Sequence, residues 1–300
     1  MNRIFALLLV AFLTSCQNTE SKNSTTTASK DKEVLEPTDK ELHALPAELK
    51  EISGIAFVDD HTVVAIQDEE GILYFYDLNK EEITKKYEFW KGKDYEDLSI
   101  VGNDLYVVSS GGTLYELKDF KNSTAQAVVH KTQLSTENNI EGLTYDQKNN
   151  RLLLAVKDLS LDGDKSHKDI YSFDLKTKTF NPKAIYSIKL AEVESYFAGD
   201  KIEEFSKKLL KAVGNKNLNE VFRTSAITIN PQTGELYALS SLNNIIAILD
   251  ANSKITKILE FDGKEFSQPE GLAFAPNGKL YISNEGKKNP ANIIEVNYAK

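Results

Sequence analysis

Three glutamates, Glu96, Glu141 and Glu270, occupy the same place in three copies of a short sequence motif. Each is the second residue of a six-residue segment that continues into an apolar, strand-forming run. Carboxylates held near one another repel, so they take up protons or bind a cation. Ca²⁺ is suited to such a group, because it accepts about six to eight oxygen ligands. We therefore expect these glutamates to be metal ligands, with Ca²⁺ as a possible cofactor.

The same glutamates have an alternative set of partners in the basic side chains Lys157 and Arg223, or in backbone N–H groups. Zinc, copper and nickel fit less well, since these metals prefer imidazole or thiolate ligands. The chain has a single cysteine, and its histidines lie outside the repeated positions: His43, His61, His130 and His167.

The glutamate motif belongs to a longer repeat that runs through most of the chain. Its segments superpose at residues 52–57, 95–100, 140–145, 224–229 and 269–274. Their second residues lie at 53, 96, 141, 225 and 270, so successive copies are 43, 45, 84 and 45 residues apart. A near-constant interval distinguishes a repeat architecture from an ordinary sandwich of strands.

Each copy continues through a turn into a second apolar run and then into a third. The turns contain Asn, Asp, Gly or Pro, as in residues 276–278, which favours antiparallel hairpins. Small antiparallel sheets that repeat at about 40 to 50 residues are typical of a β-propeller. The sequence predicts an all-β fold with five blades, and six blades are the alternative.

The long interval of 84 residues is best explained by an insertion rather than by a sixth blade. Residues 200–203 have the pattern of a helix-capping box, and apolar residues follow at helical spacing. We therefore expect a short helical insertion around residues 195–222. Because the chain ends after the third strand of its last blade, we expect residues 45–51 to supply the fourth.

Equivalent positions of successive blades form rings around the central channel of a propeller. The first predicted ring contains Ser53, Glu96, Glu141, Ser225 and Glu270. The second ring lies where the next strand of each blade ends. Its members are Gln67, Ser110, Lys157, Ser241 and Asn284. The residues that follow them in the chain are, in the same order, Asp68, Gly111, Asp158, Leu242 and Glu285. From the second ring, and from Arg223 as a basic partner, we predict the ligand-binding side chains Gln67, Asp68, Lys157, Arg223, Asn284 and Glu285.

The loop of residues 158–164 contains several acidic side chains, but it does not have the ligand spacing of an EF-hand. We interpret it as a solvated excursion of a hairpin.

The N-terminus has the features of an export signal. One positive charge, Arg3, precedes an apolar run at residues 4–13, which is too short to span a bilayer. The run ends at residues 13–16 in Leu-Thr-Ser-Cys, which resembles the lipobox of bacterial lipoproteins. We predict a signal peptide at residues 1–15 and lipidation of Cys16, which place the protein in the cell envelope, anchored to a membrane. A buried N-terminal strand is the alternative.

The composition changes twice along the chain. Residues 16–41 are mostly Thr, Ser, Lys, Asn, Glu and Asp, so we predict a disordered tether there and a propeller domain at 42–300.

The net charge of −9 argues against nucleic-acid binding, because a polyanion needs a basic surface. The lipid would then supply the membrane affinity.

The propeller region resembles the SdiA-regulated family, which is distantly similar to NHL-repeat proteins. The resemblance rests on residues 45–56, 67–71, 139–143 and 269–273. It implies an envelope-associated propeller with a calcium site, no established reaction and, on this chain, the candidate ligands Glu96, Glu141 and Glu270. Ser53 and Ser225 depart from an all-acidic ring.

Two functions follow from these expectations. The first is a monomeric, lipid-anchored binding protein that presents a metal-containing mouth to a small ligand or to an envelope protein. The second is a metal-dependent hydrolase of a lactone, ester or phosphate, in which Glu96 or Glu141 handles protons. The chain contains no phosphate-binding glycine loop, serine-hydrolase elbow or H-E-x-x-H motif.

Overall fold

The computed structural model describes residues 31–92, 94–122, 126–197 and 222–297. In this part of the chain, twenty strands and one short α-helix form a five-bladed β-propeller. The predicted fold class and the count of five blades are therefore confirmed.

The first three blades are four-stranded antiparallel sheets whose strands follow chain order. Blade 1 contains β2 (Ile52–Phe57), β3 (Thr62–Gln67), β4 (Ile72–Asp77) and β5 (Glu82–Glu88). Blade 2 contains β6 (Tyr95–Val101), β7 (Asp104–Ser109), β8 (Leu114–Leu117) and β9 (Ala127–His130). Blade 3 contains β10 (Ile140–Asp146), β11 (Arg151–Val156), β12 (His167–Asp174) and β13 (Thr179–Lys189).

The last two blades are joined into one sheet by the first strand of the described residues, β1 (Asp31–Ala44). Blade 4 contains β14 (Ala226–Ile229), β15 (Leu236–Ser240), β16 (Ile245–Leu249) and β17 (Ile255–Phe261). Blade 5 contains β18 (Pro269–Phe274), β19 (Leu280–Asn284) and β20 (Asn292–Asn297). The N-terminal strand completes blade 5 and thereby closes the ring.

The pairing of β1 corrects two predictions. Its residues 36–44 pair antiparallel with β20, and residues 31–35 pair in parallel with β17. The closing strand thus precedes residues 45–51, which instead contain a 3-10 turn at Ala47–Leu49. Residues 31–41, assigned to the tether, lie in the strand. Composition misled here because a strand can be held by the free backbone edges of its neighbours.

The predicted helical insertion is described only at its start. Helix α1 spans Leu190–Phe197 and begins before the expected residue 195, whereas residues 198–221 lie outside the described part of the chain. The helix is docked on blade 4, since Tyr196 Oη donates to the carbonyl of Ile255 at 2.6 Å. None of the helices in the described residues is long and apolar enough to span a membrane.

The hydrophobic core lies between the blades. Each of the five clusters of buried side chains combines residues from two neighbouring blades. Leu35 of β1 is 2% exposed and belongs to the cluster between blades 4 and 5. Strand β1 therefore contributes one buried side chain to the core in addition to its backbone pairing.

Substitution of Leu35 tests the position of this strand. Leu35→Ala should lower the free energy of unfolding by about 2 to 4 kcal/mol, because it leaves a cavity between two blades. The neighbouring Val34 is 64% exposed, so Val34→Ala is a matched control with an effect below about 0.5 kcal/mol. Denaturant unfolding measures both. Equal effects would show that residues 31–35 are not packed as the structure has them.

Candidate functional site

A β-bulge recurs in the innermost strand at the position of each repeated glutamate. In blade 2, Tyr95 pairs with Ser109 and Asp97 with Val108, so Glu96 is the extra residue. The pairing skips Glu141 of blade 3 and Glu270 of blade 5 in the same way. A bulge re-aims a side chain away from the regular alternation of a strand. The repeat thus encodes a backbone irregularity as well as a residue type.

These bulges lie at the end of the propeller where the innermost strands begin and the next strands end, which we call the mouth. There Lys157 Nζ lies 2.9 Å from Glu141 Oε1. The charges of Glu141 and Glu270 both act on Glu96, so carboxylates from three blades lie near enough to influence one another. The structure therefore brings the three predicted ring glutamates together around the channel.

The residue after the bulge explains the Glu-Gly pairs of the motif. A Cβ atom on Gly142 would lie 2.8 Å from Ile227 Cγ1, and one on Gly271 would lie 2.7 Å from the carbonyl oxygen of Ser53. Contacts this short are not tolerated, so glycine is needed where the inner strands of adjacent blades approach. The glycines belong to the packing, and the glutamates before them are left to face the mouth.

Blade 2 has Asp97 where three of the other four copies have glycine, and the sequence analysis did not single it out. Its buried carboxylate accepts the Leu98 N–H at 2.8 Å and the Leu143 N–H at 2.7 Å, joining the inner strands of blades 2 and 3. Burial raises the pKa of Asp97 well above its ordinary value, although these hydrogen bonds oppose the shift. An acid in place of the repeat glycine was the signal that could have identified it.

The ring glutamates hold protons unusually tightly. Burial, with the charge of Glu141, raises the pKa of Glu96 to about 8. Burial also raises the pKa of Glu270 to about 7, with Glu141 and Glu285 adding to the effect and Lys157 opposing it. The pKa of Glu141 is raised too, because its burial outweighs the ion pair with Lys157. At pH 7, Glu96 is therefore mostly protonated and Glu270 is near the midpoint between acid and carboxylate.

The predicted basic partners separate into two roles. Burial lowers the pKa of Lys157, but Glu141 and Glu270 outweigh it and the net shift is upward, so Lys157 is charged. Arg223 Nη2 pairs with Asp158 Oδ1 rather than with a ring glutamate. Asp158 also accepts a hydrogen bond at its backbone oxygen from Lys168. Lys157 is thus the cation at the ring, and Arg223 positions the start of the next loop.

The remaining predicted residues line the blade 1 and blade 5 side of the mouth. Gln67 Oε1 accepts the Glu69 N–H at 2.6 Å, and Asn284 Nδ2 donates to Asn292 Oδ1 at 2.9 Å. Glu285 accepts a hydrogen bond from Gln268. Their neighbourhood is acidic as well as polar.

Two further acids at this place, Glu51 and Glu69, were missed by the sequence analysis. One carboxylate oxygen each of Glu51, Asp68 and Glu69 lies within 4.8 Å of the others. Burial, followed by the charges of Glu51 and Glu69, raises the pKa of Asp68. A cavity of about 370 Å³ lined by Glu51, Gln67 and Glu69 adjoins them. Glu51 and Glu69 flank predicted positions in sequence, which was the available signal.

We call the acidic side chains of this region the mouth carboxylates: Glu51, Asp68, Glu69, Glu96, Glu141, Glu270 and Glu285. Among the described residues, Glu51, Asp68 and Glu69 have carboxylate oxygens within 4.8 Å of one another, whereas the three ring glutamates do not. The ring is wider than the acidic group beside it.

Comparison with known proteins agrees with the repeat and the fold. Residues 173–290 match the family model described as SdiA-regulated. The resemblance to the SdiA-regulated family is confirmed over this stretch. The match runs from the end of β12 into the loop before β20 and includes Glu270. No curated protein matches the chain.

Solved structures resemble this propeller in fold alone. A glutaminyl cyclase of Myxococcus xanthus is 12% identical, with a TM-score of 0.60 over 89% of this chain and 97% of that one. A luciferin-regenerating enzyme is 11% identical, with a TM-score of 0.49 over 88% and 96% of the two chains. Identities this low carry no information about the reaction.

The raised pKa of Glu96 predicts a pH dependence of stability in the presence of a chelator. The folded protein keeps this proton up to about pH 8, whereas a free glutamate releases it near 4.5, so stability falls as pH rises through that window. Glu96→Gln should raise Tm by about 2 to 5 °C at pH 8.5 and have little effect at pH 4.5.

The exposed Glu88 provides the control, since Glu88→Gln should leave Tm unchanged at both pH values. Thermal melts followed by circular dichroism measure the two variants. A gain of Glu96→Gln that is equal at pH 4.5 and 8.5 would contradict the shifted pKa.

Proposed function

We propose that this protein is a lipid-anchored β-propeller of the cell envelope that binds a divalent hard cation, Ca²⁺ by its chemistry, among the mouth carboxylates. The bound cation and the mouth around it would form the surface for a small ligand or an envelope protein. The observation that carries this proposal is the meeting of Glu96, Glu141 and Glu270 from separate blades at one partly buried place.

The donor atoms of the mouth suit a hard cation. They are carboxylate and amide oxygens, which are the ligands that Ca²⁺ prefers, and one group of three spans no more than 4.8 Å. Two oxygens bonded to the same Ca²⁺ at about 2.4 Å are separated by no more than about 4.8 Å. The acidic group therefore has the compactness that a coordination shell requires.

Unsatisfied oxygens give a second reason for the fit. Asp68 Oδ1, Gln268 Oε1 and Asn284 Oδ1 are buried and have no hydrogen-bond partner among the described residues. A buried polar atom without a partner costs free energy, so such atoms indicate a missing ion or water. All three lie on the blade 1 and blade 5 side of the mouth, next to Glu285.

Charge balance gives the third reason. Lys157 compensates Glu141 through a 2.9 Å ion pair, which leaves Glu96 and Glu270 to be neutralised by protons at neutral pH. A divalent cation replaces those protons, and its binding therefore strengthens as the pH rises. We propose that Glu96, Glu141 and Glu270 are ligands directly or through water, with Asp68 beside them.

A metal-dependent hydrolase is the second candidate function, and one observation favours it. The pKa of Glu96, about 8, lies in the range at which a carboxyl exchanges protons with a substrate near neutral pH. Lys157 would stabilise an anion beside it. Binding is the better supported function, because it needs only the oxygens and charges described above.

Thermal melts in Ca²⁺ test the proposed cation site. Addition of 100-fold excess over Kd should stabilise the protein by about 2.7 kcal/mol, and the triple variant Glu96→Gln, Glu141→Gln, Glu270→Gln should lose this stabilisation. A control triple at exposed positions, Glu82→Gln, Glu88→Gln, Glu137→Gln, should retain it.

A second triple variant locates the ion. If Glu51→Gln, Asp68→Asn, Glu69→Gln abolishes the response to Ca²⁺ while the ring triple keeps it, the cation lies beside the ring and the ring assignment is wrong. If neither the unaltered protein nor any variant responds to Ca²⁺, the cation proposal itself fails.

The proposed anchor rests on residues 13–16, which lie outside the described part of the chain. Cys16→Ala should move the protein from the membrane fraction to the soluble fraction after export. Ser15→Ala, which keeps the cysteine and a small residue before it, should remain membrane-bound. Retention of Cys16→Ala in membranes would contradict lipidation at this residue.

A further inference from the structure

One histidine and two aspartates meet in blade 3, away from the mouth carboxylates. His167 Nε2 lies 3.3 Å from Asp162 Oδ2 and 3.3 Å from Asp169 Oδ2. The three ligand atoms all lie within 4.8 Å of one another. Imidazole with carboxylate is a different donor set from that of the mouth, and it is one that divalent transition metals accept.

The chain positions these side chains from a strand and from the loop before it. His167 and Asp169 stand two residues apart on β12, so their side chains emerge on the same face. Asp162 comes from the loop between β11 and β12, which the sequence analysis interpreted as a solvated excursion. The sequence pattern of the cluster is therefore D-x-x-x-x-H-x-D, which combines a loop ligand with a strand pair.

Two side chains of the cluster are largely buried, and the third is exposed to solvent. The side chains of His167 and Asp169 are 16% and 8% exposed, whereas that of Asp162 is 56% exposed. A metal ion from solvent can reach the buried pair without movement of the sheet. Asp162 can then adjust to it, because its loop is at the surface.

The separations agree with the edges of a coordination tetrahedron. With metal-ligand bonds of about 2.0 Å, as zinc makes to imidazole nitrogen and carboxylate oxygen, two ligand atoms lie about 3.3 Å apart. Both separations from His167 Nε2 have this value. Two of the three separations thus already have the value that a zinc ion would impose, and the third is below 4.8 Å.

Outer contacts hold each of the three side chains in place. Asp164 Oδ2 lies 3.7 Å from His167 Nδ1, on the side of the ring that faces away from the other two carboxylates. Tyr171 Oη donates to Asp169 Oδ2 at 3.1 Å, and Asp162 Oδ1 accepts the Asp164 N–H at 3.0 Å. A carboxylate behind the imidazole and a donor behind the carboxylate are the supports that metal ligands have in proteins.

The charges of the cluster leave room for a cation. Asp162, Asp164 and Asp169 surround one imidazole, which carries at most one positive charge. Lys168, the basic residue between His167 and Asp169, donates instead to the backbone oxygen of Asp158. A divalent ion would neutralise most of the remaining negative charge.

We propose that Asp162, His167 and Asp169 bind a divalent transition metal ion, Zn²⁺ by the geometry, with solvent at the fourth position. The metal would fasten the loop of residues 157–166 to β12 on the mouth face of the propeller. The inference is independent of the proposed function, because it uses none of the mouth carboxylates.

Calorimetric titration of the chelator-treated, tag-free protein with Zn²⁺ tests the site. One saturable site is expected, and His167→Ala should weaken its affinity by about 100-fold. Asp162→Asn changes a mostly exposed side chain and should weaken binding by about 10-fold without harm to the fold. With Co²⁺ in place of Zn²⁺, a visible absorption band typical of four-coordinate cobalt should appear, and His167→Ala should abolish it.

His61 provides the matched control, since it lies in an exposed turn of blade 1 and His61→Ala should bind Zn²⁺ like the unaltered protein. The ring triple variant at Glu96, Glu141 and Glu270 should also bind Zn²⁺ normally, which separates this site from the mouth. Absence of saturable binding would overturn the proposal and leave the cluster as an ion-pair network. Binding that Asp162→Asn and His167→Ala leave unchanged would overturn it equally.

Discussion

The close approach of the innermost strands around the channel is the constraint on which the rest of the molecule depends. Five strands can meet there only if one residue of each occupies little space or forms a specific contact. Gly54, Gly142 and Gly271 meet this requirement by lacking a Cβ atom. Asp97 meets it with a hydrogen bond from the Leu143 N–H of the next blade, and blade 4 has the small residue Ala226 at this position.

The same constraint concentrates charge at the mouth. A bulge precedes the crowded residue in the glutamate-bearing blades, and the extra residue must project toward the channel because the blade interior is filled. Glutamate at that position in three blades produces a group of carboxylates that water solvates poorly. The raised pKa values of Glu96 and Glu270 are the direct consequence, and Lys157 offsets only part of the repulsion. Negative charge at the mouth is therefore only partly compensated by the protein's own cations.

Most of the correct predictions followed from the register of the sequence repeat. Equal intervals placed Glu96, Glu141 and Glu270 in one ring, since every blade must repeat the same path around the axis. The register could not find β1, because its pairing uses backbone groups of β17 and β20 that no side-chain pattern records. It also missed Glu51 and Glu69, which lie one residue outside the repeated positions. The sequence predicted Arg223 near the mouth. Its ion pair with Asp158 could not be predicted, because it depends on the path of the loop that carries Asp158.

The connection between β11 and β12 links the two acidic regions of the molecule. It begins at Lys157, which pairs with Glu141 in the ring, and it continues through Asp158, which pairs with Arg223 of blade 4, to Asp162. Its other end enters β12 at His167. Whatever orders this loop therefore also restrains Lys157, the cation that would compete with the proposed metal ion for Glu141. Oxygen ligands in the mouth and an imidazole in the loop would select different ions, so the two proposed sites need not compete for the same one.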